Sequence, residues 1–137
     1  MTDRSPTDSQ SGSCLCGAVR FTINGALRDI VLCHCSQCLR THGHVAGHTR
    51  VAADAVGITE DGGLTWYRSS SAAERGFCNT CGASLFFRPV GGTTLSISAG
   101  CLDRPTGLAT MGQIYVDSAS DYYEIDRGIP VLRHEDL

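Results

Sequence analysis

A chain of 137 residues that is 42% hydrophobic, with a formal net charge of -3, is long enough for one folded domain with a modest core. Its eleven basic residues are all arginine and form no run, so neither a nucleic-acid surface nor an anionic-membrane anchor is expected, and no Schiff-base lysine exists. Nothing approaches the roughly eighteen consecutive apolar residues of a membrane span. Sixteen glycines against four Phe, four Tyr and one Trp describe a small core with many turns, for which the eight cysteines are the obvious staples.

Residues 1–11 are polar and turn-rich without an apolar h-region, and are expected to form a disordered tail rather than a secretory signal or a strand. A single domain follows over residues 12–137. Val19, Phe21 and Ile23 alternate with Arg20, Thr22 and Asn24 before Gly25, the pattern of a half-buried strand. Leu27 to Cys33 is a shorter β-like run. A turn or two of helix fits Leu39 to His42, with Gly43 placed to end it. Further short β-like runs are Leu64 to Arg68 and Ser84 to Arg88. After a Gly91-Gly92 turn, Leu95, Ile97 and Ala99 alternate with Thr94, Ser96 and Ser98, and Gln113 to Val116 closes the series. These elements predict a mainly β, antiparallel fold with little helix. A cytoplasmic location is expected, where patterned cysteines favour metal over disulfide. The sequence carries no signal for oligomeric state.

Seven cysteines fall into three clusters: Cys14-Leu15-Cys16, Cys33-His34-Cys35-Ser36-Gln37-Cys38 and Cys78-Asn79-Thr80-Cys81, with Cys101 alone. Gly82 follows the last cluster at once, as in a zinc knuckle, where the chain turns tightly to aim two thiolates at one ion. On extended backbone, side chains two apart share a face, so Cys14 faces with Cys16 and Cys33 with Cys35. His34 then points away from its neighbours' metal and is not counted as a ligand. Four thiolates close a tetrahedral zinc site, whereas three leave a position for water or substrate. The middle cluster can supply three ligands from six residues, leaving the outer pairs to meet as a four-cysteine site; spacing alone leaves that pairing open. Soft thiolates also suit iron–sulfur clusters, but no ferredoxin run is present.

These motifs resemble those of the glutathione-dependent formaldehyde-activating enzyme family, whose domain also occurs in centromere protein V. The resemblance is carried by Gly12 to Phe21, by Cys33 to Cys38 with Arg40 and Gly43, and by Arg75 to Gly82. Weaker signatures are Ala99 to Asp103 and Tyr123 to Pro130. The resemblance implies a small antiparallel β-tent zinc-binding fold. It implies Cys14, Cys16, Cys78 and Cys81 as ligands of a structural Zn2+, and Cys33, Cys35 and Cys38 as ligands of a second. It also implies carbon–sulfur lyase activity joining a thiol such as glutathione to formaldehyde as S-hydroxymethylglutathione. The chain departs from the family in carrying Gln113 where a histidine is common, Tyr122 where a tryptophan is, and Cys101 where a threonine or similar residue is. The alternatives are a non-catalytic zinc-binding protein-interaction module and a redox or metal sensor in which Cys35 and Cys38 form a disulfide.

The remaining residues have both ordinary and functional readings. Cys101 is a buried thiol in a β-bend or a fourth ligand to the open zinc. His42, His44 and His48 are turn and strand histidines or include a base; His44 and His48 share strand parity. Arg40, Arg75 and Arg88 are solvated or paired with acids, or they bind the carboxylates of a peptide-like thiol. No catalytic residue is assigned.

Overall fold

The computed structural model describes residues 9–137. Among these residues ten strands form two sheets. The smaller is antiparallel, with β1 (Ser9–Ser13), β2 (Val19–Asn24) and β5 (Val56–Asp61) in the order β1-β2-β5. The larger sheet contains β3 (Ile30–Cys33), β4 (Ala46–Ala52), β6 (Leu64–Arg68), β7 (Ala73–Cys78), β8 (Ser84–Pro89), β9 (Thr94–Ser98) and β10 (Thr110–Ile114). Its order is β10-β3-β4-β9-β8-β7-β6. The expected mainly β fold is what the chain adopts. One pair departs from the antiparallel pattern: β10 runs parallel to β3. β9 and β10 therefore point the same way, and the segment 99–109 carries the chain back across the sheet between them.

The alternation in β2 reads directly onto burial. Val19, Phe21 and Ile23 are buried and Arg20, Thr22 and Asn24 exposed. The buried row packs on Leu85, Phe86, Leu95 and Ile97 of the larger sheet, with Phe21 edge-on to Phe86 at 5.1 Å between centroids. Each such fully buried side chain contributes about 1.5–3 kcal/mol. Cys14 and Cys78 belong to this core. A second cluster of Val31, Cys33, Cys38, Ala46 and Ile114 lies apart from it, so each cysteine group is anchored in its own packed region.

A single α-helix, α1 (Ser36–His42), is present among the described residues. Cys35 is its N-cap, the sulfur accepting from the Cys38 N–H at 3.3 Å. Gly43, at φ 78°, ends it by donating its N–H to the Leu39 carbonyl, as the sequence predicts. Residues 9–11 of the expected polar tail belong instead to the strand Ser9–Ser13, which pairs along β2, and residues 1–8 of that expectation lie outside the described residues.

β4 positions the site. Thr49 and Val51 face the main core, while His48 and Arg50, of opposite parity, share a face with Ala46 of the second cluster. Cross-strand pairing extends that face into one row: Arg50 opposite Ser96, Ser96 opposite Phe87, and Phe87 opposite Arg75.

Candidate metal centres

The outer cysteine pairs meet. Cys14 and Cys16 lie in the β1–β2 connection, Cys78 ends β7, and Cys81 sits in the turn to β8. The four sulfurs lie within 4.8 Å of one another, with Cys14 to Cys16 at 3.7 Å and Cys16 to Cys78 at 3.8 Å. A tetrahedron with metal–sulfur bonds of about 2.3 Å has edges of about 3.8 Å, so these spacings fit one ion. They are far too long for a disulfide, and all eight cysteines are free thiols. The Cys78 turn closes by Gly82 N–H to Cys78 O at 2.7 Å and Cys78 N–H to Ala83 O at 3.0 Å, with Gly82 at φ 80°. That left-handed position is the reason for the glycine at the end of the motif.

Cys33, at the end of β3, meets Cys35 and Cys38 from α1, their sulfurs again within 4.8 Å. Their protonation is mutually dependent. Cys35 is pulled down to about 2 by hydrogen bonds from Cys33 and Cys38, with the Arg75 charge assisting. Cys33 is pushed up by its hydrogen bonds to Cys35 and Cys38 and by burial. For Cys38 the Cys33 hydrogen bond lowers the pKa, but the Cys35 hydrogen bond, burial and the Cys35 charge outweigh it. One sulfur thus loses its proton readily and two resist; a divalent cation would let all three ionise together. Both clusters could hold metal ions, and their all-thiolate donor sets suit a soft or borderline ion.

The two centres differ in what surrounds them. The three-cysteine group opens on a cavity of about 350 Å³ also lined by Arg28, Arg50, Arg75, His48 and Phe87. Arg75, 8% exposed, points a guanidinium nitrogen at Cys38 Sγ, 3.8 Å away, and lies over the Phe87 ring. Burial, then the His42, Arg75 and Arg28 charges, lower His48 to about 3, so it is the neutral imidazole.

His34 lies between two of the cysteines yet is engaged elsewhere, as its parity predicts. Its Nδ1 pairs with the Tyr123 hydroxyl and its Nε2 with Gln113 Oε1, each at 2.9 Å. Gln113, 1% exposed, donates its amide to the carbonyls of Asp126 and Ile129. Gln113 thus ties the three-cysteine loop to the 123–130 stretch.

The other nominated residues divide between their ordinary and functional readings. Cys101 does not approach the three-cysteine group. It lies by the four-cysteine centre, its thiol pushed up to about 11 by burial and by the Cys14 and Cys81 charges, its sulfur 3.6 Å from the Ser84 carbonyl. His44 and His48 do not share a face, because β4 begins only at Ala46. His44 contacts Tyr122 and Tyr123, and His48 meets His42 at 5.2 Å between rings. Of the three nominated arginines only Arg75 reaches the cavity. Arg40 is exposed on α1, and Arg88 pairs with Glu74 and stacks on Trp66. Arg28 and Arg50 line the cavity without having been singled out. No local pattern marks them, since β3–β4 pairing brings them together.

The family model of the glutathione-dependent formaldehyde-activating enzyme matches residues 9–118, a span holding both cysteine centres. An uncharacterized lyase from Schizosaccharomyces pombe is 27% identical over 114 residues, covering 82% of each chain. A crystal structure of a Rhodobacter sphaeroides protein has a similar fold, with a TM-score of 0.57 and 25% identity over 69% of this chain and 88% of that one. No helix among the described residues is long and apolar enough to cross a membrane.

Proposed function

The chain belongs to the glutathione-dependent formaldehyde-activating enzyme family, and on that footing we propose that it is a zinc-dependent carbon–sulfur lyase acting on the adduct of a small aldehyde with a thiol. S-hydroxymethylglutathione is the adduct that the family suggests. The observation that carries this is the contrast between the two cysteine groups. One offers four sulfurs, a complete tetrahedral set; the other offers three, beside a cavity large enough for a small substrate.

In this proposal Cys14, Cys16, Cys78 and Cys81 hold a structural Zn2+, and Cys33, Cys35 and Cys38 hold the second. When bound there, zinc supplies a position for a substrate sulfur and lowers that thiol's pKa toward neutrality. Adduct formation then joins sulfur to the aldehyde carbon, moves the carbonyl π pair onto oxygen, and returns the thiol's proton to that oxygen; cleavage is the reverse. Arg75 braces Cys38 and offsets thiolate charge. His48, kept neutral, adds no positive charge to a cavity that already holds three guanidiniums. No side chain is assigned as catalytic acid or base. Free thiols throughout fit a reducing, cytoplasmic setting.

Exchange NMR of glutathione with formaldehyde at equilibrium tests this. The zinc-loaded protein is expected to speed exchange between free and hydroxymethylated glutathione above the spontaneous rate, and Cys38→Ser to abolish the increase. Exchange at the spontaneous rate with two metals bound would leave a zinc module without this activity.

A further inference from the structure

The cavity beside the three-cysteine group is more basic than metal binding requires. Three thiolates and one divalent ion would leave a single negative charge, and Arg75, against Cys38, offsets it. Arg28 and Arg50 remain. Neither makes an ion pair among the described residues, and no Asp or Glu side chain lines the cavity. Arg28 Nη1, Arg50 Nε and Arg75 Nε are buried without a hydrogen-bond partner. A buried guanidinium nitrogen left unpaired is costly, and the repulsion between two adjacent guanidiniums adds to it, so such a pair is expected to have an anionic partner.

The fold fixes the surroundings of these nitrogens. The Arg28 N–H donates to the Arg50 carbonyl at 3.1 Å, and the Arg28 guanidinium donates to the His48 carbonyl at 3.1 Å and to Asp29 O at 3.2 Å. These two bonds hold the side chain and leave Nη1 over. Arg50 stands at one end of the cross-strand row and Arg75, with Cys38, at the other, with Ser96 and Phe87 between. Three strand spacings separate the ends, about 14 Å at the backbone. The floor is thus polar and cationic at both ends and aromatic in the middle, with sulfur chemistry at one end only.

We propose that Arg28 and Arg50 form a carboxylate-binding subsite that makes the enzyme selective for acidic thiols, a carboxylate pairing with these two arginines while the sulfur reaches the three-cysteine group. This rests on the lyase proposal above, and it deepens it: the substrate is an extended thiol whose acid group stands several bonds from its sulfur. Arg28 and Arg50 act as specificity-determining residues and take no part in making or breaking the carbon–sulfur bond. Arginine suits the task because its planar fork matches a carboxylate with two hydrogen bonds.

The test compares glutathione with its diethyl ester as thiol partners of formaldehyde, using zinc-loaded wild type, Arg50→Gln, Arg28→Lys and Arg40→Gln. The wild type is expected to favour the acid over the ester in kcat/KM. In Arg50→Gln that ratio should fall by about tenfold or more, the loss expected of one charged hydrogen bond, mainly through the KM of the acid. Arg40→Gln, exposed on the helix, should keep the wild-type ratio. Arg28→Lys, which keeps the charge but loses the fork, provides a second reading should Arg50→Gln lose its metal. A wild-type ratio near one, or a ratio unchanged in metal-loaded Arg50→Gln, overturns the subsite and leaves the lyase proposal standing. Calorimetric titration with glutarate, a diacid without sulfur, separates the two ideas. Binding weakened about tenfold by Arg50→Gln, with no turnover of either thiol, supports the anion subsite while the lyase proposal falls. No glutarate binding to wild type together with no turnover refutes both.

Discussion

Replacing Cys16 by serine tests whether the outer cysteine pairs are one metal centre. Cys16 is exposed, so the change removes a ligand without opening a cavity in the core. Three sulfurs would remain, and a mild chelator should then empty the variant while the wild type keeps its ion. The consequence for stability follows from chain connectivity. The metal joins positions 62 residues apart, and treating that join as a cross-link gives about 4 kcal/mol of loop-closure stabilisation. A domain of this size holds about 5–15 kcal/mol in all and loses roughly 3–4 °C of Tm per kcal/mol. Chelator-treated Cys16→Ser is therefore expected to melt about 15 °C below the loaded wild type. Far-UV circular dichroism melts, with elemental analysis of the same samples, measure both quantities. Cys38→Ser is the contrast: the 33–38 loop is so short that losing its ion should cost about half as much. Equal shifts for the two variants, or an emptied Cys16→Ser within about 5 °C of wild type, would refute the staple.

Three further outcomes are expected. Gln113→Leu should lose about 2–4 kcal/mol in urea unfolding, because it strands His34 Nε2 and the Ile129 carbonyl, while the Asp126 carbonyl keeps the Ile129 N–H; a loss under about 1 kcal/mol would mean the tether is dispensable. His48 should stay neutral as pH falls from 7.5 to 5, its ring proton signals unmoved. Its folded pKa of about 3 lies below the ordinary 6.5, so the unfolded chain takes up the extra proton. Its contribution to stability is therefore full above about 6.5 and declines as pH drops toward 3; a ring midpoint near 6.5 would contradict its burial. Cys101→Ala should retain both metals, since its sulfur belongs to neither cluster; loss of an ion would return it to the ligand set.

What could be read from the sequence divides along physical lines. β2, β6 and β9 were recognisable because side-chain alternation or β-branched and aromatic runs survive there. β1 and β5 carry almost no apolar signal, since they pair through their backbones and β5 is largely exposed. β4 and β7 were hidden for a different reason: His48, Arg50 and Arg75 break the alternation because that face lines the cavity. The three cysteine clusters were legible from spacing, because the chain geometry within each is local, whereas the meeting of Cys14 and Cys16 with Cys78 and Cys81, 62 residues away, was left open by spacing and implied only by the family resemblance. The partnership of Arg28 with Arg50, and the row linking Arg50 to Arg75, depend on strand register and have no local signature.

The difference between a closed and an open centre is tested most directly by cobalt substitution followed by titration with glutathione. Two cobalt ions per chain are expected, one with an unchanging four-sulfur spectrum. The other should gain sulfur-to-cobalt absorption as one thiol binds, and Cys38→Ser should remove only that responsive ion. Two ions whose spectra both ignore glutathione, or a single ion per chain, would contradict the assignment of the three-cysteine group as the site where substrate sulfur binds.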